Sequence, residues 1–358
     1  MATPSVERHP FGTAPDGQPA SLWSLRAGTH RIRVTEWGAA WIGWDLPDRA
    51  GKLDDVVLGF DRVEALTQAR GGCFGAVCGR YANRIGGARF SLDGRTHTLA
   101  ANNGPNCNHG GKVGFDSRRW SAEVGTLRDA AYARLTYISP DGEEGFPGEL
   151  ITTATYTLDA SGAVRLDLRA ECETRTVANL TNHAYLNLAG PGQTLDGHSL
   201  RIQADQFLVT DAQTLPTGEI LPVAGTPFDF RDAHGLIERI DADHPMLRAA
   251  RGYDLCYPLR GTSGELRPAA ELTHARSGRR VTISTTAPAL VLYTGNWLGT
   301  SGSGAMGTHG AAHGDRSGVA LETQNYPDAP NRPGFPSAVV DSEHPLAQTT
   351  VWEPGLLT

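Results

Sequence analysis

The sequence predicts an all-β protein with few short helices. Short runs that alternate apolar or β-branched residues with polar ones recur from one end to the other, the period of a half-buried strand. The 3.6-residue period of an amphipathic helix is scarce. The 43 glycines and 22 prolines suit a chain that turns often between short strands.

Taken in order, "RIRVTEW" (Arg31 to Trp37) is the first clear strand. "SLDGRTH" (Ser91 to His97) places Asp-Gly between two extended runs, a hairpin signal. "ITTATYTL" (Ile151 to Leu158) and "AVRLDLRA" (Ala163 to Ala170) flank a second turn, "LDASGAV". "RVTIST" (Arg280 to Thr285) repeats the pattern. Only "DRVEALTQA" (Asp61 to Ala69) and "HGLIERI" (His234 to Ile240) read as helices. Length alone suggests about two domains. No linker interrupts the strands, so a single domain over 1–358 is expected. Within it, residues 299–318 are glycine-rich and predict a mobile loop. His309 and His313 there have a metal-like spacing, but no acid cluster accompanies them. They are read as part of a solvated loop, and no metal site is expected.

Net charge is −7 and charged residues are 20%, with no basic block, so nucleic-acid binding is not expected. No run of about 18 apolar residues is present, and no membrane span is expected. The N-terminal residues lack the apolar core of a signal peptide, and Met1 is taken as the native start. The five cysteines are odd in number and form no C-x-x-C, which fits reduced thiols and a cytoplasmic location.

Five polar islands break the strand pattern. They are "CGRYANRIGG" with Asn83 and Arg84, "NCNHGGKVGFDSRRW" with His109, "VANLTNHAYLNLAG" with Asn182, His183 and Asn187, "RGYDLCYPL" with Asp254, and "GVALETQNYPDAPNRPGFPS" with Glu322. Singly, each has an ordinary structural use: a core histidine, a paired arginine, a solvated strand tip, a Gly-Gly turn. The last island is the most telling. It opens as an apolar run, Val319 to Leu321, puts a carboxylate where that run stops, and then spaces four prolines over ten residues. Such stiffness suits a carboxylate whose position matters.

Together the islands resemble the aldose 1-epimerase family, over nearly the whole chain. "EWGAAWIGWDLPDRAGKLDDVVLGFD", "GRYANRIGGARFSLDG", "NHGGKVGFDSRRW", "LTNHAYLNLAG", "LPTGEILPVAGTPFDFRD", "GYDLCYPL", "YTGNW" and "LETQNYPDAPNRPGFPS" stand in the family's order. The resemblance implies a large antiparallel β-sandwich and interconversion of the α and β anomers of free hexoses such as galactose and glucose. It implies Glu322 as catalytic base and His183 as acid, with Asn83, Arg84, His109 and Asp254 binding the sugar. It implies no cofactor and a small-molecule sugar as the partner of a monomer or homodimer.

The chemistry agrees with that assignment. Ring opening takes a proton from the C1 hydroxyl and gives one to the ring oxygen, so one base and one acid suffice. A carboxylate accepts from a hydroxyl within hydrogen-bond reach. An imidazolium titrates near neutrality, and a nearby carboxylate favours its charged form. The chain departs from the family's pattern at Leu255, where His is frequent, at Val291, where Gln is frequent, and at Asn108, where Leu is usual. Three other readings use the same residues: a mutarotase for a phosphorylated hexose, which needs more cations; a non-catalytic sugar sensor; and a glycoside hydrolase using Asp254 and Glu322.

Overall fold

The computed structural model describes residues 3–301 and 306–357. It is built from antiparallel sheets. Strands Ser5–Thr13, Pro19–Ala27, His30–Thr35, Trp41–Pro47 and Leu53–Asp55 form a five-stranded meander. A nine-stranded sheet runs in the order Ser121–Thr126, Ala130–Ser139, Leu150–Asp159, Val164–Glu171, Leu346–Leu356, Arg279–Thr285, Arg267–His274, His198–Ile202 and His234–Gly235. A four-stranded sheet orders Tyr185–Leu186, Val319–Gln324, Ala289–Tyr293 and Asp254–Pro258.

Period-two sequence explains the packing. In Leu150–Asp159 the residues Leu150, Thr152, Ala154, Tyr156 and Leu158 are buried, while those between them are not. Val164–Glu171 and Arg279–Thr285 alternate in the same way. Their inner faces join the meander's Trp41 and Trp44, and Trp41 meets Trp352 edge-on with ring centroids 5.1 Å apart. The Asp-Gly hairpin forms as read: Asp93 (φ 50°) and Gly94 (φ 74°) link Arg89–Leu92 to Arg95–Thr98.

The four-stranded sheet turns different chemistry to its two faces. Cross-strand partners share a face. Leu321, Leu292 and Leu255 align on one face, and so do Thr323, Leu290 and Tyr257. This face meets the nine-stranded sheet, where the Thr323 and Thr350 hydroxyls lie 2.6 Å apart and Gln348 donates to the Thr323 carbonyl at 2.9 Å. On the other face Tyr185, Ala320, Tyr293 and Asp254 form one row, with Glu322, Val291 and Cys256 beside it. Leu255, a departure from the family's pattern, therefore points into the core.

Three expectations need correction. Of the two predicted helices, Val63–Gln68 forms. His234–Ile240 does not: His234–Gly235 pairs with Ser199 and Leu200, and the rest turns through i→i+3 contacts such as Glu238 N–H to Gly235. Leu236 and Ile240 are buried at helical spacing, but pairing at the start denies the segment a helical first turn. A helix that the sequence reading missed, Pro245–Ala250, follows, with His244 capping it through Nδ1 and Pro245 in the first turn.

The third correction concerns 299–318. Residues 302–305 of this stretch lie outside the described residues. Much of the described remainder is docked. Thr308 N–H donates to the Gly59 carbonyl at 2.8 Å, and His309 N–H to Asp61 at 3.0 Å. His313 is buried, stacks on Phe74, and has Nε2 2.9 Å from the Gly59 carbonyl. That bond gives its Nε2 a proton, while His309 stays exposed. A Cβ on Gly307 would stand 2.1 Å from His313 Nε2, so glycine here serves close packing.

One buried cation joins the layers. Arg279 donates to the carbonyls of Leu46 (3.2 Å), Leu188 (2.9 Å) and Lys52 (3.1 Å) and pairs with Asp54 at 3.0 Å. Its side chain is 1% exposed. Arg279→Ala strands these acceptors and is expected to cost about 3–5 kcal/mol of stability. Urea unfolding checks this, and a loss below about 1 kcal/mol would show that the arginine does not tie the layers.

Candidate active site

Glu322 sits in a strand buried along its whole length, and the residue is 2% exposed. His183 reaches it from the segment between strands Thr181–Asn182 and Tyr185–Leu186, the second of which pairs with the glutamate strand. The His183 N–H donates to the Ala76 carbonyl at 2.8 Å, and its carbonyl accepts from Gly75 at 2.9 Å. Thr181 Oγ1 bonds the Thr323 carbonyl at 3.0 Å, fixing the histidine segment to the glutamate strand. The outcome is a contact of 3.4 Å between His183 Nε2 and Glu322 Oε1, with His183 4% exposed.

His109 completes the trio, its ring centroid 5.4 Å from that of His183. Its backbone is left-handed (φ 49°), and Gly110 follows at φ 89°. A Cβ at Gly110 would stand 1.9 Å from the Gly79 carbonyl, so only glycine lets this turn close. Asn83 N–H donates to His109 Nδ1 at 3.1 Å, which leaves the proton of this imidazole on Nε2. Burial, with the charges of His183 and Arg84 behind it, keeps the His109 ring neutral. It is thus a neutral donor.

Asn83 Oδ1 holds Arg84 in turn, accepting from its backbone N–H at 2.8 Å and from Nη1 at 3.2 Å. Arg84 Nη2 lies 3.3 Å from Asp254 Oδ2, and Nε donates to Asn103 at 3.3 Å. All six residues singled out in the sequence line one cavity of about 560 Å³. Asn182 and Asn187, from the same islands, do not line it. Asn182 donates to the Gly75 carbonyl and Tyr156, and Asn187 to the carbonyls of Gln193 and Ser317.

The cavity also contains residues that sequence reasoning missed: Tyr185, Tyr293, Trp297, Gln213 and Thr214. Tyr185 spends its hydroxyl on the Gly72 carbonyl at 2.9 Å. Tyr293 oxygen accepts from Trp297 N–H at 3.2 Å, which leaves its own proton available inside the cavity. The segments "LTNHAYLN" and "YTGNW" were visible signals for these aromatics.

Burial governs the protonation of the central pair. It pushes the Glu322 carboxyl well above the usual carboxylate range; the Asp254 charge adds to this and Arg84 opposes it. It lowers His183 to about 4. The expected imidazolium–carboxylate form is therefore not the one favoured by burial in the free site. Burial thus favours the neutral form of both side chains, with the proton on Glu322 rather than on His183. Glu322 Oε2 and His183 Nδ1 are both buried and make no hydrogen bond to another described protein group.

These features coincide with what comparison with known proteins finds. The aldose 1-epimerase family model matches residues 21–352. The chain belongs to the aldose 1-epimerase family. Among its relatives, a galactose mutarotase of Bos taurus is 41% identical over 348 residues, 97% of either chain. An aldose 1-epimerase of Escherichia coli K12 is 37% identical over 324 residues, covering 90% of this chain and 91% of that protein. The crystal structure of a galactose 1-epimerase from Lactobacillus acidophilus superposes with a TM-score of 0.85 at 26% identity, covering 99% of this chain and 100% of that one. The antiparallel β-rich fold is thus the aldose 1-epimerase fold. Among the described residues, no helix is long and apolar enough to cross a membrane.

Among the described residues, the potential metal-ligand atoms of His109, His183 and Glu322 lie within 4.8 Å of one another. His109 fits that use poorly, because its Nε2 carries the proton that Asn83 excludes from Nδ1. Two ligands remain, fewer than the usual three of a catalytic metal site in this epimerase cavity. Dialysis against a chelator is therefore expected to leave anomerisation unchanged. A rate lost on chelation and restored by a divalent ion would contradict this reading of His109.

Proposed function

We propose that this aldose 1-epimerase interconverts the α and β anomers of free hexoses, galactose and glucose first, by proton exchange between Glu322 and His183. The observation that carries the reading is the buried 3.4 Å contact of these two groups in a polar cavity. Arg84, Asn83, His109 and Asp254 hold the hydroxyls. Arg84 is the one cation among the described lining residues and is already paired with Asp254, so a free sugar suits the cavity better than a phosphorylated one. Such an activity fits a cytoplasmic monomer or homodimer, and the five unpaired cysteines fit that compartment.

The protonation of the pair suggests how the step is driven. The ring form is opened by the charged tautomer, carboxylate on Glu322 and imidazolium on His183. Glu322 takes the proton of the C1 hydroxyl and His183 gives its proton to the ring oxygen. The C1–O5 bond breaks, its electron pair stays on O5, and a carbonyl forms at C1. Both side chains end neutral, the state that burial favours. After C1 turns, the two groups reverse roles and the ring closes on the other face. No redox step enters this balance.

The sign of the pH dependence follows. Activity needs one proton on the pair. As pH falls through about 4, His183 becomes protonated while Glu322 is still protonated, and the base is lost. As pH rises through the elevated Glu322 value, the last proton leaves and the acid is lost. kcat/KM should be bell-shaped, with its alkaline limb above the ordinary carboxylate range. An alkaline limb near the pKa of a free glutamate would contradict the burial argument.

The activity itself is read by polarimetry of freshly dissolved α-galactose, corrected for the background in water. The wild type should speed relaxation, and His183→Asn should lose roughly 10²–10⁴-fold of that rate, the usual worth of a positioned proton donor. A wild type that binds galactose yet adds nothing to the background would make the protein a sugar sensor. Arg84→Ala should raise KM, because the sugar loses its near-attack placement. An unchanged KM would remove Arg84 from the binding set.

A further inference from the structure

The proline-rich exit after Glu322 contains a second acid, Asp328, which the reaction does not use. It is 1% exposed and adopts a left-handed backbone (φ 58°). A carboxylate buried this deeply is costly unless its lone pairs are met. Here they are met in a directed way. Oδ1 accepts from Gly86 N–H at 2.9 Å and from Asn331 Nδ2 at 2.7 Å, and Oδ2 accepts from Arg332 Nε at 3.0 Å. The Asp328 N–H donates to the Arg84 carbonyl at 2.8 Å. Asp328 thus grips the two-residue strand Arg84–Ile85 from both ends, at the Arg84 carbonyl and at the Gly86 amide.

We infer that Asp328 is a positioning residue that sets the place of the Arg84 guanidinium relative to the base. Only five residues separate it from Glu322. That short span is itself anchored. Asn179 accepts from Asn325 N–H at 2.8 Å, and Tyr81 Oη donates to the Tyr326 carbonyl at 2.9 Å while accepting from Ala329 N–H at 3.1 Å. The strand that ends near the base is therefore continued by a fixed arm that ends on the backbone of the sugar-binding arginine. The inference rests on the proposed role of Arg84 in holding the sugar.

The test measures KM and kcat for galactose in Asp328→Ala, Arg84→Ala and the double variant. Loss of the grip should raise KM roughly tenfold, the effect of a small misplacement. The pH limbs of kcat should stay, because the Glu322–His183 pair is untouched. On the Arg84→Ala background, Asp328→Ala should add little, since residues acting as a unit do not sum. Asp328→Asn keeps an acceptor for Gly86 but turns a donor towards Arg332, so a smaller rise, about threefold, is expected. This isosteric variant decides the matter if the alanine variant does not fold. Arg84→Ala with raised KM beside a folded Asp328 variant with wild-type KM overturns the inference alone. An Asp328 effect that persists in full without Arg84, or a fall in kcat with KM unchanged, shows a merely structural role and also overturns it. Wild-type KM in Arg84→Ala instead removes the reading on which the inference stands.

Discussion

The proposed chemistry depends on the contact of two buried titratable groups, His183 and Glu322, 3.4 Å apart. Neither group is stable in its charged form where it lies, because burial raises the acid and lowers the base. Their partnership makes the arrangement workable. As a pair they can be neutral with the proton on Glu322, or an ion pair with the proton on His183. The two forms differ only by a short transfer. In the proposed mechanism, a sugar ring that opens between them consumes the ion pair and leaves the neutral one. On that proposal low dielectric, usually an obstacle to acid–base chemistry, favours the step that opens the ring.

That demand explains much of the surrounding structure. A pair of this kind must be kept dry and close, so both members need rigid supports. Glu322 stands in a strand paired on both sides, and His183 is pinned by Gly75 and Ala76. The four-stranded sheet uses its period of two to serve both ends: leucines on one face, and Glu322, Tyr293, Tyr185 and Asp254 on the other. A shift of register by one residue would send the carboxylate into the hydrophobic core. The prolines after Glu322 prevent the exit from relaxing, and its polar side chains carry the same rigidity across to Arg84.

How much of this was legible in the sequence depended on how local its cause is. Alternation in Leu150–Asp159 and Val164–Glu171, and the Asp93–Gly94 turn, are set by neighbouring residues and were readable. The six site residues lay in polar islands that break the strand pattern, but singly each had an ordinary structural use, and it was the resemblance to the family that set them apart from neighbours such as Asn182 and Asn187. His234–Ile240 misled because burial at helical spacing also suits a turn pinned by a strand at its start. His313 misled because glycine-rich sequence suggests solvent, whereas Phe60 and Phe74, more than 200 residues earlier, supply its pocket. The ionisation of the pair was least legible. Sequence shows a Glu and a His, but only the fold determines that both are buried and that their preferred charges invert. The same holds for Leu255, a departure at a conspicuous position that the strand's parity turns away from the sugar.

Polarimetry of Glu322→Gln, set beside calorimetric binding of galactose, tests the account most directly. Glutamine keeps the shape of the side chain and can still hydrogen-bond a hydroxyl, but it cannot take up the C1 proton. Galactose binding should stay close to that of the wild type while the rate of anomerisation falls by roughly 10²–10⁴-fold. A variant that relaxes the sugar as fast as the wild type would show that the proton leaves C1 by another route.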